Sequence, residues 1–139
     1  MADTQDRMDA SRAAAGWTLL AGALLAGLGV AAGAFGAHGL EGRVPTDRLA
    51  VYETAARYQI YHALALVLVA ALMRQRGGRS LTAAAVLFTA GVVIFSGSLY
   101  VLVLTDTPQL GAVTPLGGAA FIAGWGVVAW SAWRSIHGR

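Results

Sequence analysis

The chain has no cysteine, no lysine, only three prolines in 139 residues, and few charges of either sign. Without cysteine there is no disulfide, thiolate metal site, iron–sulfur cluster or thiol redox chemistry. Among four-helix membrane enzymes this excludes the quinone–thiol oxidoreductases. Only 12% of residues are charged, against about 25% in a soluble domain. The ten basic residues, all arginine, stand against seven acids. In a soluble protein a pI of about 10.0 would raise nucleic acid as a partner. Here the arginines fall in short clusters between apolar stretches, a pattern of membrane orientation rather than of a DNA-binding face, so no nucleic acid is expected.

What is present is apolar: 57% of residues are hydrophobic and the mean hydropathy is +0.61. Four uncharged runs cover Trp17–Ala37, Tyr58–Met73, Leu81–Thr105 and Thr107–Trp133. A spanning helix needs roughly 17–25 apolar residues. Three runs reach that length, and the second does so if its helix extends back through Arg57 and Glu53. Every charged residue lies outside the runs, as the cost of a charge at mid-depth requires. The expected fold is therefore all-α, an antiparallel four-helix transmembrane bundle, with spans at about 17–37, 57–73, 81–104 and 110–133. Residues 1–15 are polar and read as a frayed tail or a short surface helix, outside a single transmembrane domain of residues 16–139. Their acidic character and the length of the first run argue against a signal peptide. Val44-Pro45-Thr46-Asp47 reads as a helix start, so the second helix should begin outside the membrane. Glu53 and Arg57 sit i,i+4 on it.

Short loops make neighbouring helices antiparallel. With four spans, Arg7, Arg12, Arg74, Arg76, Arg79, Arg134 and Arg139 share one side, and Arg43, Arg48 and Arg57 the other. The positive-inside rule then puts both termini in the cytoplasm. Arg74, Arg76 and Arg79 act chiefly as an orientation signal and secondarily as contacts for anionic lipid. Trp17, Trp130 and Trp133 fall at the cytoplasmic ends; Trp125 does not. Lipid offers no hydrophobic drive between helices, so small residues should mark the contacts: Gly29, Gly33 and Ala37 on the first helix, Ala120 and Gly124 on the fourth.

This topology puts nearly all polar residues within the spans in the outer half of the bundle. They are His38, Tyr58, His62, Ser96, Ser98, Tyr100 and Thr114, the candidate ligand-binding residues. The bland alternative applies to each. His62 can donate to a backbone carbonyl or to the hydroxyl of Ser96, Ser98 or Tyr100; the serines can bond back to their own i−4 carbonyls and bend the helix; Pro115 can mark a kink or a late helix start. The functional alternative is a metal or haem ligand, or a proton relay. Zinc usually takes three or four protein ligands, so His38 and His62 would need Glu41 or Glu53. No cofactor is expected.

Four motifs recur in order: Gly33-Ala34-Phe35-Gly36-Ala37-His38, Tyr58-Gln59-x-x-His62-x-Leu64-Ala65, Phe95-Ser96-Gly97-Ser98-Leu99-Tyr100 and Thr114-Pro115-x-Gly117-Gly118. Together, over about Gly16 to Trp133, they resemble the YgdD-like family of small bacterial inner-membrane proteins, a domain of unknown function with distant eukaryotic relatives. The resemblance implies a four-helix membrane protein of the bacterial inner membrane and supplies no reaction or catalytic residue. The expectation is a non-enzymatic accessory, scaffold or oligomeric membrane component, whose partners are the lipid bilayer and further copies or a larger membrane complex. The alternative is a binder of a small ligand, metal or haem at the outer cluster. A transporter ranks third, because no acidic residue lies within a span. A serine hydrolase is disfavoured, since no nucleophile elbow and no acid to orient His62 are present.

Overall fold

A computed structural model describes residues 2–76 and 79–138, except the side chains of residues 2–4 and of Arg76. The glycine turn at 77–78 and the Arg76 side chain of the basic cluster thus lie outside the described residues. The helices are α1 (Ala2–Phe35), α2 (Thr46–Arg76), α3 (Arg79–Gly91), α4 (Gly97–Thr105) and α5 (Thr114–His137). A π-helical turn, Gly36–Leu40, ends α1; a second, Val92–Ser96, joins α3 to α4 in one rod; a 3-10 turn, Pro108–Ala112, leads into α5. Four helical stretches are long and apolar enough to cross a membrane, and no strand occurs among the described residues.

Local sequence explains the boundaries. α2 starts at Thr46, directly after Pro45, as its cap signal requires. Its 31 residues make about 46 Å of helix, longer than a hydrocarbon core of about 30 Å. The expected boundary at residue 15 coincides with no break, because α1 is continuous from Ala2. Pro115 sits in the first turn of α5, where its missing N–H is harmless; it marks a helix start, not a kink.

The packing is in chain order. α1 lies on α2, α2 on the α3–α4 rod, and that rod on α5. The stripe of α1 facing α2 differs from the expected one. Its buried positions are Ala15, Gly22, Gly29 and Gly36, spaced by seven residues, the period of a left-handed helix pair. A Cβ at Gly22 would lie 2.9 Å from the Ala63 carbonyl oxygen, and one at Gly29 2.7 Å from Ile60 Cγ1. A Cβ at Gly33 would meet nothing within 4 Å, and Ala37 is exposed. The i,i+4 set therefore shares only Gly29 with the true contact.

On the other side of the bundle the rod and α5 exchange aromatic knobs and glycine notches. Phe88 fills the notch at Gly124, where a Cβ would fall 2.6 Å from its ring. Phe121 fills the notch at Gly91, and at Gly117 the backbone and Cβ of Phe95 come so close that a Cβ would not fit. The first two pairings set a missing side chain on one helix against a large ring on the other, and the third brings the two backbones together, so the helices fix each other's register.

Gly29→Leu should unseat α1, costing about 1–3 kcal/mol from overpacking, whereas Gly33→Leu should be tolerated. Thermal unfolding of the two variants in the same detergent checks this; equal losses would contradict the seven-residue stripe.

Candidate functional site

Most of the candidate polar residues converge toward one end of the bundle, but as separate bridges. His62 is buried on α2. Its Nδ1 lies 2.8 Å from the Tyr58 carbonyl oxygen, and the Trp125 indole N–H donates to its Nε2 at 3.3 Å. A carbonyl only accepts and an indole N–H only donates. These partners therefore fix a neutral imidazole with the proton on Nδ1. The ring stacks on Phe121 with centroids 3.5 Å apart and planes 7° apart, and meets Phe88 at 5.5 Å. Tyr58 stacks farther off, at 6.2 Å. Its own ring packs on Phe95 at 4.9 Å, and the residue is exposed.

A second bridge centres on Gln59, which joins three elements. Its amide nitrogen donates to the Leu25 carbonyl of α1 at 2.8 Å, and its Oε1 accepts from the Tyr100 hydroxyl of α4 at 2.9 Å. Gly29 makes this possible: the Gln59 side chain runs past the place where a Cβ would stand, 3.5 Å from its Cγ. The Tyr100 ring lies 4.9 Å from that of Tyr52.

The two serines separate. Ser96, fully buried, donates to the Ala55 carbonyl of α2 at 2.8 Å. The expected bond to its own helix is replaced by one across helices, because the π turn ending at Ser96 rotates it toward α2. Ser98 does bond back locally, to the Phe95 carbonyl at 3.0 Å, and also meets Thr114 Oγ1 at 2.8 Å. Thr114 thereby ties α4 to the start of α5.

His38 is not part of this assembly. It is exposed in the π turn after α1, and Glu41 and Glu53 are exposed too. No group of three or more His, Asp or Glu that could hold a metal ion occurs among the described residues. Glu53 and Arg57 form no ion pair with each other; at this end of the bundle Arg48 pairs with Asp106, at 2.8 Å. Arg74 and Arg79 are exposed at the opposite end.

Chemically the cluster is saturated. No buried side-chain nitrogen or oxygen among the described residues lacks a partner. Both nitrogens of His62 are engaged, so neither offers a lone pair to a metal, and neither serine is bonded to it. Sequence reasoning missed three contributors: Gln59, Phe121 and Trp125. Gln59 had a signal, being the only amide inside the four expected spans, where an unpaired amide is costly. Trp125 had a weaker one: it was the tryptophan that did not fit an interfacial role.

Such an arrangement, four apolar helices tied internally by hydrogen bonds, defines a multi-pass membrane protein. Residues 32–118 match the family described as "Protein of unknown function (DUF423)". The chain is 52% identical over 108 residues to the UPF0382 membrane protein YwdK of Bacillus subtilis (strain 168), covering 77% of this chain and 88% of that protein. It is 47% identical over 109 residues to the UPF0382 membrane protein SAB0533 of Staphylococcus aureus (strain bovine RF122 / ET3-1), covering 77% and 87%. This chain belongs to the DUF423 family of membrane proteins. No solved structure matches it.

Hydrogen bonds between membrane helices contribute about 0.6 kcal/mol on average and up to about 1.7 kcal/mol. Gln59→Leu breaks two, so it should cost about 1–3 kcal/mol, and Tyr100→Phe should cost less. The double variant should cost less than the sum of the two, because the groups share one bond. Unfolding titrations in micelles measure the cycle; strict additivity would show that the Tyr100–Gln59 bond contributes nothing.

Proposed function

We propose that this protein is a non-enzymatic component of the bacterial inner membrane, an accessory or scaffold subunit that works as an oligomer or within a larger membrane complex. The observation that carries this reading is the closed hydrogen bonding of the outer cluster. A catalytic or ligand site keeps groups available for its substrate. Here Gln59, His62, Ser96, Ser98, Tyr100 and Thr114 are all engaged in holding the helices to one another. The exposed apolar faces of α1 and α5, with Leu24 and Ile122 outward, give lipid or neighbouring subunits a surface without further polar demands. The four-motif resemblance to YgdD-like proteins supports the inner membrane, and the arginine bias supports cytoplasmic termini.

Two measurements test this. Native electrophoresis from mild detergent should resolve a species larger than the 14.3 kDa chain, with no Soret band and no stoichiometric metal. A monomer alone, in detergent and in nanodiscs, or a haem or metal abolished by His62→Ala, overturns the proposal. For orientation, the cysteine-free chain accepts a single probe cleanly. Thr107→Cys should react with a membrane-impermeant maleimide in intact spheroplasts, and Ser135→Cys only after permeabilisation. The reverse pattern would invert the topology.

A further inference from the structure

One groove is unconnected to the polar bridges. α1 and α3 both lean on α2 but barely touch each other, leaving an apolar channel of about 570 Å³ between them. Trp17 and Ala21 form one wall, Val86, Thr89 and Ala90 the other, and Leu66 of α2 the floor. Of the three threonines along it, Thr18 and Thr89 turn their hydroxyls back onto their own helices, Thr18 to the Ala14 carbonyl at 2.8 Å and Thr89 to the Ala85 carbonyl at 2.9 Å, and Thr82 stands at the end shared with the next cavity. From Thr82 to Ile94 it follows α3 and the start of the π turn for about 18 Å, comparable to one leaflet's share of a hydrocarbon core, about 15 Å.

The channel opens at its inner end into a second cavity that shares Ala14 and Thr82 with it. That cavity, about 640 Å³, is bordered by Arg7, Ser11 and Arg79. An apolar slot of leaflet length thus ends between two guanidiniums and a hydroxyl. We propose that this composite groove binds one anionic phospholipid, with an acyl chain along α3 and the headgroup phosphate at Arg7 and Arg79. Guanidinium matches phosphate geometry in two parallel hydrogen bonds, and the cationic end lies at the rim of the apolar slot, where a headgroup sits. The site does not depend on the scaffold reading, since a monomer has the whole groove.

The test is native mass spectrometry of the full chain, titrated with dioleoyl phosphatidylglycerol and, separately, dioleoyl phosphatidylcholine. Phosphatidylglycerol should bind tighter, and Arg79→Gln should weaken it about fivefold, the scale of one arginine at an anionic surface, without changing phosphatidylcholine. Arg74→Gln removes the same charge from the same end but outside the groove, and should have no effect. Ala90→Phe should fill the slot and weaken both lipids; Ala21→Phe does so from the other wall if the first variant fails to fold. Equal binding of the two lipids, or equal losses for Arg74→Gln and Arg79→Gln, overturns the proposal. So does a dimer that forms through the groove, is abolished by Ala90→Phe and resists added lipid.

Discussion

The carbonyl oxygens of a helix each accept one N–H from the next turn and keep a second lone pair. This spare acceptor is what the bundle is built around. Leu25 gives it to Gln59, Ala55 gives it to Ser96, and Tyr58 gives it to His62. In water such bonds would compete with solvent; inside a bilayer a polar side chain has only the protein to turn to. Each of the three donors therefore has its position dictated by a backbone oxygen, two of them on a neighbouring helix. The contact must be close for a side chain to reach a carbonyl across helices, and the glycine stripe supplies that closeness. Gly29 and Gln59 are two parts of one device: the notch lets α2 approach, and the amide uses the approach to bond α1.

The same logic makes His62 a structural residue. Neutral imidazole offers one donor and one acceptor, and the site provides one partner for each. Phe121 covers the ring face, while the knob-and-notch contact of Phe121 with Gly91 anchors α5. His62 thus connects α2 to α5, helices that are not neighbours in the chain order. Protonating it would put a donor against the indole N–H of Trp125, with no acceptor in place.

The sequence carried the number of helices because charge avoids lipid: every acid and arginine sits outside the uncharged runs. It carried the start of α2 because Pro45 and Thr46 act locally. It carried the position of the polar residues along their helices, which brings most of them to one end of the bundle. It did not carry their azimuth. For Ser96 the alternatives were a bond to His62 or one back to its own helix, and the π turn that directs it to Ala55 instead leaves no mark in a run such as Val92-Val93-Ile94-Phe95. The glycine face was misread for a related reason. With 18 glycines, many small-xxx-small pairs exist, and only the partner's side chains, Ile60 and Ala63 among them, select Gly22 and Gly29 over Gly33. His38 shares the depth of the cluster but not its direction, so proximity along the membrane normal was mistaken for proximity.

The irregular backbone turns are confined to the same half as the bridges. Gly36–Leu40, Val92–Ser96 and Pro108–Ala112 all lie toward the end that holds the bridges, whereas α1 and α2 are regular through the other half and α3 is regular to Gly91. A π turn inserts one residue into a helix and rotates everything beyond it. In the α3–α4 rod this lets one element satisfy two partners. Below the turn, Phe88 and Gly91 face α5; above it, Ser96 and Tyr100 reach α2, with Phe95 and Ser98 still meeting α5 and its first residue. A regular helix of this length would have to choose between the aromatic zipper and the hydrogen bonds. Along the regular stretches of α1 and α3 the two helices pack on α2 with little direct contact, and the groove between them is the space this leaves.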